Sequence, residues 1–216
     1  MSKLSEKPTE NLTARDAARP TPLSPEFSLE QRRTLLRIAH QAILSVLEHR
    51  PFPAAPPPLT RLSEPRGVFT TLYLRADSLH GDRQLRGCVG YAMPIAPLYR
   101  AVAETARAAA FEDSRFLPVT QDEASRLEVS LSVLSLLFPI HPEAVEVGRH
   151  GLLISDGARR GLLLPQVPVE NAWDRETFLE QTCRKAGLPP DAWRKRATIE
   201  AFTAEVFSDA DAEVPC

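Results

Sequence analysis

The string Leu85-Arg86-Gly87-Cys88-Val89-Gly90 places a cationic donor, a thiol and two glycines side by side. In an extended segment, alternation brings Arg86 and Cys88 to one face, where a guanidinium can stabilise a thiolate or hold an anionic substrate while sulfur attacks it. Gly87 and Gly90 have no side chain, so a backbone amide or a ligand can come close. A buried cysteine in a glycine-rich packing contact has the same composition, because free cysteine is among the most often buried residue types. The neighbours must separate the two readings.

A cysteine nucleophile needs a base or a setting that keeps it ionised. His150, which borders Gly151, is the leading acceptor, and His141, near Pro139 and Pro142, is the second. Asp113-Ser114-Arg115-Phe116 forms a turn in which Asp113 caps backbone amides and Arg115 points to an anion or a carboxylate. Gln166 and Glu170 follow Gly161-Leu162-Leu163-Leu164-Pro165; they can hold a planar ligand and orient a histidine, or fasten a bend. The candidate site is thus Cys88 and His150 for catalysis, with Arg86, Gly87, Gly90, Asp113, Arg115, Gln166 and Glu170 for ligand binding.

Metal and cofactor motifs are not read. The histidines at 40, 49, 80, 141 and 150 have no ligand spacing, and Cys88, Cys183 and Cys216 form no C-x-x-C pair, so neither a zinc site nor an iron–sulfur centre is expected. The glycines at 148, 151, 157 and 161 miss the dinucleotide fingerprint.

Several elements must position these groups. Ser28 and Gln31 make a capping box for a helix that ends near Arg50, with Leu35, Ile38, Ala39, Ala42, Ile43, Val46 and Leu47 on one face. The run 51–58 is proline-rich and cannot continue it. Residues 67–75 and 84–90 read as strands around a turn at 78–82. Pro97 opens a helix whose Ala106, Ala109 and Ala110 permit close approach of a sheet. Leu127, Val129, Leu131 and Val133 alternate with Glu128, Ser130 and Ser132, the pattern of a half-buried strand. Asp174 caps a helix terminated by Gly187, and an extended stretch at 197–207 carries a phase irregularity that reads as a bulge or an edge contact. Few crossovers separate the later strands, so an α+β architecture is expected rather than a doubly wound parallel sheet.

The chain has 216 residues, enough for one domain or for two subdomains sharing an interface. Residues 1–27 read as a flexible leader, 28–208 as the folded body and 209–216 as a flexible tail. The formal net charge is -2, which disfavours a basic nucleic-acid module unless Arg83, Arg86, Arg159, Arg160, Arg184, Lys185, Arg194, Lys195 and Arg196 converge. No apolar run is long enough to cross a bilayer and no secretory signal is readable, so a cytoplasmic protein is expected.

These strings together resemble the AMMECR-type family, called protein A of the AmmeMemoRadiSam system in prokaryotes. The resemblance covers residues 30–208 and rests on Leu85 to Gly90, Asp113 to Phe116, Leu127 to Ser130, Gly161 to Val167 and Cys183 to Leu188. It departs from the common pattern at Val89, Leu117, Pro168 and Ser208. It implies an α+β fold of mixed or antiparallel sheets with helices, in which a larger and a smaller subdomain form a cleft faced by the Leu-Arg-Gly-Cys string. It also implies association with Memo-like proteins and radical S-adenosylmethionine enzymes. The expected activity is a cysteine-dependent transferase or hydrolase-like step on a small anionic metabolite; a non-catalytic ligand-binding or assembly subunit is the alternative.

Overall fold

The computed structural model describes residues 25–52, 57, 60–75 and 83–212. Most of the proline-rich run, the turn at 78–82, His80, Cys216 and the leader up to residue 24 lie outside the described residues.

Helix α1 (Leu29–Leu47) starts at the expected capping box: Gln31 N donates to Ser28 Oγ, and Ser28 N donates to Gln31 Oε1 at 2.8 Å. Its buried face, Leu35, Leu36, Ala39, Ala42 and Ile43, packs on the first of two sheets. That sheet comprises β1 (Val68–Leu74), β2 (Gln84–Tyr91), β3 (Leu127–Leu134) and β8 (Ala204–Ser208) in the order β2-β1-β3-β8, antiparallel throughout. Helix α2 (Leu98–Phe111) lies on the same side as α1, its alanines allowing the close approach that the sequence suggests. A Cβ added at Gly87 would sit 2.0 Å from the Ala109 carbonyl oxygen, so only glycine admits this contact.

One face of the sheet, Val68, Leu72, Val129, Leu131, Val133 and Phe207, is core. Period-2 alternation sends Phe69, Thr71, Cys88, Gly90, Ser130 and Ser132 to the other face.

A short helix α3 (Gln121–Ala124) precedes β3. The second sheet follows, built from β4 (Phe138–Pro139), β5 (Gly151–Asp156), β6 (Arg159–Leu163) and β7 (Thr198–Phe202) in the order β4-β7-β5-β6. It has its own core, in which Leu152, Ile154 and Ala201 meet Phe178, Leu179 and Cys183 of α5 (Arg175–Lys185). Between β6 and α5 lies the single turn α4 (Gln166–Glu170). The architecture is α+β with antiparallel sheets.

One detail differs from the expectation. The stretch at 197–207 is not one bulged strand: β7 belongs to the second sheet and β8 to the first, so the phase changes at Thr203 because the chain changes sheets. Residues on either side of 28–208 also take part in the packing. Phe27 is 1% exposed within the first core, and α6 (Asp209–Ala212) buries Asp209 and Ala212, because apolar side chains at both ends complete the packing around α1.

Replacing Gly87 by alanine should force β2 and α2 apart and cost about 1–3 kcal/mol. Urea denaturation would read this as a lowered midpoint with an unchanged slope; an unchanged midpoint would refute the close-approach account.

Candidate functional site

Strand β2 carries the site, and its register is irregular. Leu72 opposes Gly87 while Tyr73 opposes Leu85, which leaves Arg86 as the extra residue of a bulge. The alternation that would align Arg86 with Cys88 is therefore interrupted. Arg86 is 9% exposed and its guanidinium is engaged: Nε and Nη2 donate to the Glu123 carboxylate at 3.0 Å each, Nη1 to the Leu117 carbonyl at 2.6 Å and Nη2 to the Pro118 carbonyl at 3.1 Å. This paired fork fastens the segment after α2 to β2. Arg86 also holds the Glu123 carboxyl below the usual carboxylate range.

Cys88 is half-buried and held from two directions. Across the strand pair, Thr71 Oγ1 donates to Sγ at 3.3 Å. Along the open edge of β2, the Cys88 amide donates to Asp113 Oδ2 at 2.9 Å, and Arg115 Nη2 donates to the Cys88 carbonyl at 3.1 Å. Arg115 also pairs with Asp113 through Nε and Nη2, at 2.9 and 2.7 Å. That pairing, with the two backbone amides that Asp113 accepts, holds its carboxyl far below the ordinary range. Two side chains thus take the place of a missing neighbouring strand. The Asp113 side chain is 6% exposed and the Arg115 side chain 57%, so the clasp has one buried and one solvent-facing partner.

Thr71 also opposes Ser130, and Ser130 opposes Ser208. The Cys88 thiol consequently ends a row of hydroxyls running across the non-core face. Cys183 offers a contrast: it is fully buried in the second core, and desolvation pushes its thiol up.

The remaining candidates lie on the second sheet and its connections. His150 is 6% exposed, accepts the Glu146 amide proton at Nδ1 (3.0 Å) and meets the Phe138 ring edge-on. Burial lowers its pKa from 6.5. With Nδ1 accepting, the neutral ring carries its proton on Nε2 and presents a donor there. This geometry gives His150 no lone pair to offer a thiol, and its contacts are not those of Cys88. His141 is exposed just before a turn at Pro142. Gln166 and Glu170 are exposed on α4. Gly90 lies under Phe69, since an added Cβ would come within 2.3 Å of the Phe69 ring. Among the described residues, no group of three or more His, Cys, Asp or Glu side chains is arranged to hold a metal ion, and no helix is long and apolar enough to cross a membrane.

The structure thus unites Cys88, Asp113 and Arg115, and adds Thr71, Glu123 and Phe69. The AMMECR1 family profile matches residues 36–207. The chain belongs to the AMMECR1 family. It is 41% identical over 199 residues to Protein MK0488 of Methanopyrus kandleri, covering 88% of this chain and 94% of that protein. With Protein TK0174 of Thermococcus kodakarensis the identity is 43% over 183 residues, covering 81% and 88%. The crystal structure of the uncharacterized protein PH0010 from Pyrococcus horikoshii superposes with a TM-score of 0.66 at 40% identity, covering 85% of this chain and 93% of that one. Membership is consistent with protein A of the AmmeMemoRadiSam system.

Asp113→Ala should leave the Cys88 amide and Arg115 unpaired and cost about 1–3 kcal/mol, read by denaturation; an unchanged midpoint would show the clasp to be dispensable. For His150 the folded pKa lies below the unfolded one, so its contribution is complete above about pH 6.5 and is lost as pH falls through the folded value. Thermal midpoints measured from pH 7 to pH 5 should fall, with a shallower slope in His150→Gln. Equal slopes would remove His150 from the acid response.

Proposed function

We propose that this AMMECR1 family chain is a cytoplasmic, cysteine-dependent transferase or hydrolase-like component acting on a small molecule, with Cys88 as its nucleophile. The observation that carries this reading is the fixed Cys88 peptide. Asp113 and Arg115 hold its amide and carbonyl while Thr71 donates to a half-buried sulfur. The Thr71 hydroxyl stands where it can keep donating to the sulfur as that atom attacks.

In an acyl-transfer step the thiol proton passes to solvent base and the sulfur attacks the substrate carbonyl. A carbon–sulfur bond forms, and the bond to the leaving group breaks with the electron pair departing on that group. Water then cleaves the thioester and restores the thiol. Arg115 Nη1, on a side chain 57% exposed, is the donor for an anionic substrate group, because the donors of Arg86 are engaged elsewhere. Memo-like or radical S-adenosylmethionine partners would supply any metal or radical chemistry, in keeping with the family resemblance.

A second reading has the same face of the first sheet bind a ligand without chemistry. It is favoured by the tautomer of His150, which leaves Cys88 no histidine acceptor there.

Iodoacetamide labelling followed by intact-protein mass spectrometry tests the first reading. Cys88 should alkylate well before Cys183, and Thr71→Val should slow it about tenfold, the effect of one hydrogen bond to a charged group. An inert Cys88 in the folded protein would favour the binding reading. Profiling small molecules in lysate with and without this protein and its genome-neighbour partners tests the joint assignment; a product formed identically without this chain would end it.

A further inference from the structure

A cavity of about 290 Å³ opens where the two sheets meet, and its lining includes Gly67, Ala92, Met93, Leu134, Leu136 and Phe202. The floor is buried: Leu134 is 2% and Phe202 1% exposed. The rim is apolar and open, with Met93 36% and Leu136 59% exposed.

The two polar side chains in the wall are engaged with other partners. Arg66 Nη2 donates to Glu26 at 2.7 Å and to Glu64 at 3.1 Å. Ser135 Oγ donates to the Leu136 carbonyl and accepts the Thr203 amide proton, both at 3.0 Å. With Ser135 bonded on both sides and the Arg66 charge already faced by two carboxylates, the wall offers a neutral polar occupant little to replace its water contacts. An apolar occupant loses nothing, and a cavity of this size lies near the lower end of those that take small ligands.

The strand registers relate this cavity to the thiol. Cys88, Thr71 and Ser130 form one row across the non-core face of the first sheet; Gly90, Phe69 and Ser132 form the next. The row after that is Ala92, Gly67 and Leu134, since Val68 opposes Tyr91 and Leu134 N donates to the Gly67 carbonyl. All three rows have the same parity. The cavity wall therefore shares the face of Cys88, two rows away, or roughly 13 Å at the rise of an antiparallel strand. The Phe69 ring lies over Gly90 in the row between and supplies an apolar track from one to the other.

We infer that the cavity takes the apolar tail of an acyl ester or acyl thioester whose carbonyl is attacked by Cys88. The inference rests on the thiol reading above and adds the class of substrate. An extended, unbranched chain suits the roughly 13 Å between the row of the thiol and the cavity wall. The bond changes are those of the acyl-transfer step already described: sulfur bonds to the carbonyl carbon, and the alkoxide or thiolate leaves with its electron pair and takes up a proton from water.

The experiment uses the full chain with p-nitrophenyl acetate, butyrate and dodecanoate, the last long enough to cover the two rows. Acylation of Cys88 is followed by intact mass, with each rate divided by that of free cysteine. Dodecanoyl transfer should exceed acetyl transfer by at least about tenfold, because each further buried methylene favours the longer chain. Filling the cavity with Ala92→Trp, or charging its rim with Leu136→Glu should the first variant fold poorly, should return the ratio to that of free cysteine. O-dodecanoyl and S-dodecanoyl donors run in parallel separate an ester substrate from a thioester one. Equal corrected rates for acetyl and dodecanoyl would overturn the tail site and leave the thiol reading standing. No acylation by any donor would overturn both. In that case NMR shifts induced by dodecanoate in Cys88→Ser, confined to residues around Leu134, Leu136 and Phe202, would show an apolar site without chemistry.

Discussion

Among the described residues, strand β2 has a partner strand on one side only, so the amide and carbonyl of Cys88 face an edge of the sheet. An unpaired peptide there would be mobile and open to other chains. Asp113 and Arg115 close that edge, and being charged they bind the peptide more strongly than a neighbouring strand would. Because both come from the turn that follows α2, the helix ending and the strand edge are fixed together. Arg86 repeats the arrangement two residues earlier, reaching Glu123 and the Leu117 and Pro118 carbonyls. The position of the thiol thus depends on a loop held by ions, with Gly87 letting β2 reach α2 closely enough for that loop to engage.

The second constraint lies at the seam. The chain passes between sheets twice, after β3 and before β8, and the two passages are tied where Ser135 N donates to the Thr203 carbonyl and Thr203 N donates to Ser135 Oγ. These bonds satisfy backbone groups that neither sheet can pair. They also place Leu134 and Phe202, each adjacent to one of these bonded residues, in the wall of one cavity, so that an apolar hollow lies beside a sheet face otherwise lined with hydroxyls.

Much of this was legible in the residues. The capping box at Ser28 and Gln31, the alanine stripe of α2 and the alternation from Leu127 to Val133 are local signals, and local signals survive folding. The site was legible as far as Cys88, Asp113 and Arg115, because a thiol, a turn carboxylate and a guanidinium each announce themselves by type. What sequence could not supply was register. Thr71 lies within a strand read correctly, yet its place opposite Cys88 depends on the intervening turn and on a bulge at Arg86 that carries no glycine of its own. Counting by twos across an unseen bulge put Arg86 beside the thiol. Glu123 went unread: it makes a capping box with Thr120 in the structure, and its ion pair with Arg86 joins residues 37 apart. The final stretch misled for a related reason: a phase slip is the same in one dimension whether a strand bulges or changes sheets.

Charge is handled by local pairing. Of the cations whose convergence would have formed a basic patch, Arg83 meets Glu128, Arg184 meets Glu180, Arg194 meets Glu176, Lys195 meets Asp191, and Arg159 and Arg196 share Asp156. Pairs as exposed as most of these contribute about 0–1 kcal/mol each to stability. Their larger effect is on the field, because a cation with its counter-charge within a few ångströms projects little potential beyond the Debye length. Arg115 is subject to the same cancellation by Asp113. On the proposed function, a substrate approaching Cys88 therefore meets a single guanidinium, already paired, which orients an anionic group more than it attracts one. Discrimination between substrates then falls to shape and apolar contact, along the face that runs from Phe69 over Gly90 to the seam.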